Sequence, residues 1–159
     1  MDDAIFLSHI PKEKRFFLSQ MILILCVILC MIAPVPAERV FFSDGTVYNS
    51  SFSKDAILEQ FEKYPERGPV IVFHDLICQS CKDAMDYFRE FEQIYPDVPI
   101  VYYDLHGNVT NKLLFETYMK KYHQDNLLAP TAFVGPAGIE GNKSIRLVFE
   151  PFALIYQNI

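Results

Sequence analysis

Apolar and polar residues are arranged in two different ways along the chain, and the change falls near residue 38. Residues 16–37 carry no charge, and residues 21–32 are uninterruptedly apolar or cysteine. Further on, short apolar runs alternate with stretches of helical period and with turns that contain Gly or Pro. The pattern predicts an N-terminal apolar leader over residues 1–37 and a domain over residues 38–159, which are too few for two domains.

The apolar leader has the layout of an export signal. Lys12, Lys14 and Arg15 precede the apolar run, and Val35-Pro36-Ala37 follows it as a cleavage site. An uncleaved signal anchor is the alternative, because the charge-free run approaches the ~20 residues that a membrane span needs. The basic flank disfavours a buried core helix and keeps the N-terminus inside in either case. We therefore expect residues 38–159 to be extracytoplasmic, either secreted or attached to a membrane through the charge-free run.

A short strand or a β-hairpin, followed by a helix, is predicted at the start of the domain. Residues 40–42 and 46–48 are β-prone and flank Ser43-Asp44-Gly45, which is a turn signal. Ser53 is predicted to cap a helix over residues 54–64, because the apolar residues that follow have the helical period: Ile57, Leu58 and Phe61.

A buried strand followed by a long amphipathic helix forms the centre of the predicted domain. Residues 70–73 are a continuous apolar run bounded by Gly68-Pro69, which is typical of a strand covered on both faces. A helical pattern runs from about Cys78 to Tyr95, and Pro96 ends it. Its apolar side consists of Cys81, Ala84, Met85, Phe88, Phe91 and Tyr95.

A strand and a helix are predicted next along the chain. Residues 99–103 have the composition of a strand. Thr110 is predicted to cap a helix that ends at residue 122 or 123. Its inward residues are expected to be Leu113, Leu114, Tyr118 and Met119.

The C-terminal part is predicted to form a hairpin and a short helix. Residues 131–134 are read as a strand that pairs with residues 145–149 across the loop 135–142, and residues 151–158 have room for two helical turns at most. The order is then β-α-β-α-β-α-β-β with a short terminal helix. Crossover helices imply parallel pairing in the first part, and the hairpin adds an antiparallel edge. We therefore expect an α/β fold with a central mixed sheet flanked by helices.

Charge and composition exclude several classes of function. The net charge is −6, with no basic stripe that would neutralise phosphates, so a nucleic-acid partner is not expected. The chain has no repeats or low-complexity tracts, which argues against a solenoid and against disorder. Acceptor triplets for glycosylation begin at Asn49, Asn108 and Asn142; they are compatible with export but arise often by chance.

Two cysteines lie outside the leader, in the motif Cys78-Gln79-Ser80-Cys81. They are predicted where a buried strand ends and a helix begins, so that Cys78 faces the helix N-terminus. Unpaired N–H groups and the helix dipole stabilise a thiolate there. Cys81 follows on the same helix face, close enough to attack a mixed disulfide at Cys78. This placement predicts that Cys78 attacks and Cys81 resolves.

Two alternatives for the cysteine pair remain open. The pair can be a static disulfide, or it can be half of a metal site. A zinc site normally needs four ligands, so His74 and His106 would have to join the two thiols. We expect no metal and no cofactor. His106, in a loop, and His123, at a helix end, are interpreted as structural.

A proline segment about fifty residues after the cysteines is the second informative feature. Leu127-Leu128-Ala129-Pro130-Thr131 leads into a predicted strand. With the cysteine pair and its preceding strand, this arrangement resembles the thioredoxin-like superfamily over about residues 39–159. The resemblance implies a thioredoxin-like fold and a cis Ala129–Pro130 bond that faces the cysteines. It also implies a substrate site at Ile77, Ala129 and Pro130, where the Ala129 backbone is free to pair with an extended substrate.

The chain departs from the thioredoxin pattern in two ways. It has no Trp, so Ile77 stands where thioredoxins carry an aromatic residue before the first cysteine. Val72 stands where they carry a buried acid that assists proton transfer from the resolving cysteine. Asp75 or His74 can substitute for that acid if either side chain points toward Cys81. The alternative, which we favour, is a solvated Asp75 and a His74 packed beside the strand.

The dipeptide Gln79-Ser80 tunes the redox poise in the family that the chain resembles. It supplies an amide and a hydroxyl but no charge. We therefore expect a potential between those of thioredoxin (~−270 mV) and of the strong periplasmic oxidant (~−120 mV). An equilibrium with glutathione outside these bounds would contradict this expectation.

Two functions from different classes follow. The first is an exported thiol–disulfide oxidoreductase that exchanges disulfides with protein substrates, with an unidentified redox partner that sets the direction of electron flow. The second is a non-catalytic thioredoxin-like binding module, in which the cysteines form a structural disulfide or handle copper. Reactivity of the two thiols separates the two functions.

Overall fold

The structure is a computed structural model, and it describes Met21 and residues 38–49, 52–64 and 69–157. The export signal, its cleavage site and the membrane anchor were predicted on residues that, except for Met21, lie outside this range. Among the described residues, no helix combines the length and the apolar character that crossing a membrane requires.

Strands and helices alternate along the described domain, with bounds close to those predicted for most of them. The strands are β1 (Arg39–Phe42), β2 (Val47–Asn49), β3 (Val70–His74), β4 (Ile100–Asp104), β5 (Thr131–Val134) and β6 (Ala137–Glu140). The helices are α1 (Lys54–Phe61), α2 (Gln79–Ile94), α3 (Val109–Lys121) and α4 (Asn142–Gln157).

The strands form one mixed sheet in the order β2-β1-β6-β5-β3-β4. Strands β3 and β4 are parallel, because α2 crosses over between them, and the other neighbouring pairs are antiparallel. The predicted α/β class, with a mixed sheet flanked by helices, is therefore confirmed. The final hairpin is not an edge, however: β5 pairs with β3, β6 pairs with β1, and the edges are β2 and β4.

Local signals in the first half act as predicted. The hairpin of β1 and β2 turns at Asp44, whose Oδ1 accepts a hydrogen bond from the Thr46 N–H at 2.8 Å. Gly45 has a φ of 89°, which is why a glycine suits this turn. Ser53 caps α1, with its Oγ accepting from the Ala56 N–H at 3.3 Å.

Each face of the sheet covers its own apolar core. Helices α1, α2 and α4 pack on one face, and α3 packs on the other. Because β3 lies between both cores, each of its five residues is buried. The first core includes Phe61, Val70, Val72, Phe88, Phe149 and Phe152, and the second includes Phe41, Ile71, Phe73, Phe115, Tyr122 and Phe133.

The prediction for α3 needs two corrections. Its N-cap is Asn108 rather than Thr110, because the Asn108 Oδ1 accepts a hydrogen bond from the Asn111 N–H at 3.0 Å. Leu113 was expected to face inward, but it is 58% exposed, and Phe115 is the buried residue of this helix.

The C-terminal prediction was wrong in its element types. Residues 145–149 belong to α4, which continues through Pro151, rather than forming a strand. The partner of β5 is β6, which lies in the stretch predicted as a loop. Gly138 permits this strand: a Cβ atom there would lie 2.1 Å from the ring of Phe41 on β1.

Candidate active site

Cys78 lies where the chain passes from β3 into α2, and its own sulfur caps the helix. Its Sγ accepts a hydrogen bond from the Cys81 N–H at 3.2 Å. The turn before it is closed by the Cys78 N–H, which donates to the Asp75 carbonyl at 3.1 Å, and by the Ile77 N–H, which donates to the Asp75 Oδ1 at 3.0 Å. The Cys78 sulfur therefore occupies the place where a helix N-terminus favours an anion.

Cys81 lies one turn further along α2, with its side chain directed into the protein. It is 1% exposed, and its Sγ accepts a hydrogen bond from the Asp75 N–H at 3.4 Å. Burial raises the pKa of the Cys81 thiol to about 12; the contact with Cys78 adds to the rise, and the Asp75 N–H opposes it. Both Cys78 and Cys81 are free thiols, and Cys78 is the more exposed of the two.

The proline segment faces the first cysteine. The Cys78 Sγ lies 3.8 Å from the carbonyl oxygen of Ala129, and the Ala129–Pro130 bond is cis, as expected from the resemblance. Neighbouring hydrogen bonds fix this segment: the Thr131 Oγ1 donates to the Leu128 carbonyl at 2.7 Å, and the Gly141 N–H donates to the Pro130 carbonyl at 2.9 Å. The two separated motifs that the sequence singled out are thus brought together.

A carboxylate on β6 fixes the proline segment from the other side. Glu140 is 1% exposed, and its Oε1 accepts a hydrogen bond from the Leu128 N–H at 2.6 Å. Its Oε2 pairs with the Nε of Arg39 at 2.5 Å, and the Arg39 Nη2 donates to the Asn126 carbonyl. This pair was not predicted, because nothing in the spacing of Arg39 and Glu140 along the chain indicates that β1 and β6 are neighbours.

Exposed apolar side chains lie next in sequence to both motifs. Ile77, which precedes Cys78, is 72% exposed, and Leu76 is 59% exposed. Leu128, which precedes Ala129, is 54% exposed. Apolar side chains next in sequence to Cys78 and to Ala129 are therefore exposed, and the Cys78 Sγ lies 3.8 Å from the Ala129 carbonyl oxygen.

The Gln79 side chain, in the dipeptide between the cysteines, hydrogen-bonds a carboxylate of α2. The Gln79 Nε2 donates to the Asp83 Oδ1 at 2.9 Å, one turn along the same helix. Ser80 is half-buried, and Gln79 is exposed. The amide of Gln79 is thus engaged by a carboxylate of α2 instead of by either sulfur.

The structure separates the two residues that were considered as substitutes for the buried acid. His74 is buried on the face of β3 that also carries Val72, and its ring packs edge-on against Tyr102 at 6.5 Å between centroids. Within the described residues, its Nδ1 has no hydrogen-bond partner. Asp75 is partly exposed and contacts Cys81 through its N–H. The favoured interpretation of a packed His74 is confirmed, and Asp75 keeps a partly exposed side chain while its backbone N–H contacts the Cys81 Sγ.

His106, which was interpreted as structural, lies beside Asp75 in the structure. Its Nδ1 lies 3.5 Å from the Asp75 Oδ1. The two loops are adjacent because β3 and β4 are parallel and end at the same edge, where the Leu105 N–H donates to the His74 carbonyl at 2.8 Å. The predicted parallel crossover was the signal that could have placed His106 beside Asp75.

Neither a metal centre among the described residues nor a match to a known protein assigns a function to this site. Within the described residues, no group of three or more His, Cys, Asp or Glu side chains is arranged to hold a metal ion. No family model matches the chain, and neither a curated protein nor a solved structure matches it. The function must therefore be argued from the chemistry of the site.

Proposed function

We propose that the chain is an exported thiol–disulfide oxidoreductase with a thioredoxin-like fold, which acts on protein substrates through Cys78 and Cys81. The asymmetry of the pair is the observation that carries the proposal. One thiol caps α2 and is partly exposed, whereas the other is buried one turn along. The nucleophilic thiol must be accessible to the disulfide of a substrate. The resolving thiol must be shielded from solvent until the mixed disulfide has formed.

The proposed reaction has two steps. The Cys78 thiolate attacks one sulfur of a substrate disulfide, which forms a mixed disulfide and releases the other substrate sulfur as a thiolate that takes up a proton. The Cys81 sulfur then attacks Cys78, closes the Cys78–Cys81 disulfide and releases the second substrate thiol. The substrate is reduced by two electrons and the pair is oxidised by two; the reverse sequence introduces a disulfide.

The proline segment supplies the proposed binding site for the substrate chain. An extended peptide that offers a cysteine to the Cys78 sulfur would pass the Ala129 backbone, 3.8 Å from that sulfur, and could pair with it strand to strand. Ile77 and Leu128, both more than half exposed, would contact apolar side chains on either side of the substrate cysteine.

Export is part of the proposal and is supported by the sequence of the leader. A charge-free run after a basic cluster is typical of a signal peptide or a signal anchor. An oxidising compartment is also where a CxxC pair finds disulfide substrates. Synthesis of the full chain in the presence of membrane vesicles should protect residues 38–159 from added protease, and full digestion would contradict export.

Trapping of mixed disulfides tests the enzymatic part. All variants carry Cys26→Ser and Cys30→Ser, so that only the pair can react. Cys81→Ala should accumulate disulfide-linked adducts with a cysteine-containing model peptide or with cellular proteins, because the resolving thiol is missing. The adducts are read by non-reducing electrophoresis and mass spectrometry.

Cys78→Ala is the matched control for this experiment, since it keeps the buried thiol and removes the exposed one. It should yield no adducts. If Cys81→Ala also yields none, even with an activated disulfide, the pair is not a catalytic one. The binding module with a structural or copper-handling pair would then be the better description.

A further inference from the structure

Three asparagines begin acceptor triplets for N-linked glycosylation, and the triplets lie in different parts of the fold. They are Asn49-Ser50-Ser51, Asn108-Val109-Thr110 and Asn142-Lys143-Ser144. A triplet alone is a weak signal, because such sequences arise often by chance. A glycan is bulky and hydrated, so the folded domain must leave room for it at the surface. The surroundings of the asparagines therefore discriminate between the triplets.

Asn108 lies where the fold has room for a glycan. It is in the loop between β4 and α3, and it is exposed, as are Val109 and Thr110. Its Oδ1 caps α3 by accepting a hydrogen bond from the Asn111 N–H at 3.0 Å. Among the described residues, its Nδ2 has no hydrogen-bond partner. Glycosylation uses Nδ2 and keeps Oδ1, so the same side chain can carry a glycan and still cap the helix.

Asn142 lies in a more crowded place. It begins α4 and is half-buried, and its Oδ1 accepts a hydrogen bond from the Arg146 Nε at 3.2 Å. Ser144, whose hydroxyl completes the triplet, is only 9% exposed, and its N–H donates to the Glu38 Oε2 at 2.9 Å. The folded domain therefore leaves less room for a glycan at Asn142 than at Asn108.

The loop that contains Asn108 lies beside the cysteine site. Strands β3 and β4 are parallel, so the start of this loop and the turn that leads to Cys78 are at the same edge of the sheet. The His106 Nδ1, two residues before Asn108, lies 3.5 Å from the Asp75 Oδ1. The proline segment leads into β5, which is the neighbour of β3 on the opposite side. A glycan on Asn108 would thus be attached on the side of β3 that faces away from the proposed substrate site.

We propose that Asn108 accepts an N-linked oligosaccharide during export and that Asn142 stays unmodified. This inference rests on the export that the proposed function includes. The co-reactant is an oligosaccharide joined to a lipid diphosphate. The Asn108 Nδ2 forms a bond to C1 of the first sugar, and the bond from C1 to the diphosphate oxygen breaks. The lipid diphosphate leaves, and Nδ2 releases one proton.

Expression of the full chain in eukaryotic cells that glycosylate exported proteins tests the proposal. Every protein in the experiment carries Asn49→Gln, because residues 50 and 51 of that triplet lie outside the described part of the chain. The parent should migrate more slowly in electrophoresis than the same protein treated with peptide N-glycosidase. Mass spectrometry of its peptides should find the glycan at position 108 and none at position 142.

Val109→Pro is the decisive variant, because a proline in the middle of the triplet prevents transfer. Val109 is the first residue of α3, a position that favours proline, and it is 70% exposed. Asn108 already has the extended backbone that a residue before proline prefers, with φ −105° and ψ 100°. Val109→Pro should therefore fold and lose the glycan. Val109→Ala, the matched control, should keep it, and Asn142→Gln should leave the mobility unchanged.

Several results would overturn the inference. A glycan that persists in Val109→Pro, or that disappears in Asn142→Gln, would belong to another asparagine. An unmodified parent whose residues 38–159 are secreted or protected by membranes from added protease would show that export occurs without modification of Asn108. A parent that stays in the cytosol would instead contradict the export part of the proposed function, and the inference would fall with it.

Discussion

Burial links the ionisation of Cys81 to the stability of the fold. The pKa of this thiol is raised from 9.0 to about 12, first by burial and then by its contact with Cys78. The folded protein therefore holds the proton more tightly than the unfolded chain. The stabilisation is complete below pH 9 and is lost as the pH rises from 9 toward 12.

The raised pKa of Cys81 predicts how the stability of the protein depends on pH. In the reduced protein, the free energy of unfolding should fall with rising pH between 9 and 12, and Cys81→Ala should make the fall less steep. The difference in slope should be at most about 1.4 kcal/mol per pH unit, which corresponds to one proton. Urea unfolding at a series of pH values measures both slopes.

Tyrosines contribute in the same range of pH and must be separated from the cysteine. Burial raises the pKa of Tyr87 to about 12 and also raises that of Tyr102. Both tyrosines are present in the parent protein and in Cys81→Ala, so their effect cancels in the comparison. Identical slopes for the two proteins would show that the thiol is not buried in solution.

Helix α4 includes residues 145–149, for which a strand was wrongly predicted. Its buried residues follow the helical spacing i, i+3, i+4, i+7: Ile145, Val148, Phe149 and Phe152. The prediction placed a strand at residues 145–149 instead and allowed residues 151–158 two helical turns at most. Pro151, inside the helix, removes one helical hydrogen bond. The apolar core on that face of the sheet outweighs this local cost, because these side chains can only be buried together when the segment is helical.

The helix predicts unequal effects for two neighbouring apolar positions. Phe149 is fully buried among aromatic rings of α2, whereas Leu147 is 46% exposed. Phe149→Ala should lower the free energy of unfolding by about 3–5 kcal/mol. Leu147→Ala, the control on the same helix, should change it by about 0.5 kcal/mol or less. Chemical denaturation measures both, and similar losses at the two positions would contradict the observed helix face.

Contacts between distant segments hold the site together at the scale of the whole molecule. The pair of Arg39 and Glu140 joins the first strand to the sixth and anchors the segment before Ala129. Its effect therefore reaches the surface that faces Cys78. Each oxygen of the Glu140 carboxylate accepts one hydrogen bond, so a glutamine, which keeps only one acceptor oxygen, leaves one of these donors without its partner.

Glu140→Gln should accordingly destabilise the fold by about 1.5–3 kcal/mol, because a charged acceptor is replaced by a weaker one. Asp86→Asn is the control, since Asp86 forms an ion pair with Arg89 in which both side chains are more than 60% exposed. Asp86→Asn should lower the free energy of unfolding by no more than about 1 kcal/mol. Thermal unfolding of the two variants measures the contrast, and equal losses would show that the buried pair contributes no more than a surface pair.

Elements whose signals are local were predictable from the sequence. Ser53 capped its helix, residues 70–73 formed a strand buried on both faces, and the two cysteines took their place at the start of α2. Caps, turns and apolar periodicity act within a few residues, so a single sequence contains the information that they need.

Other features depend on contacts between residues that are far apart along the chain, and they become visible only in the tertiary structure. The Phe41 ring lies against Gly138 in the neighbouring strand and leaves no room for a side chain there. Helix α4 continues through Pro151 because its apolar residues are buried in the core on one face of the sheet. His106 joins Asp75 because two parallel strands end side by side. Burial, pairing and proton affinity are properties of what surrounds a residue, and the chain acquires those surroundings only by folding.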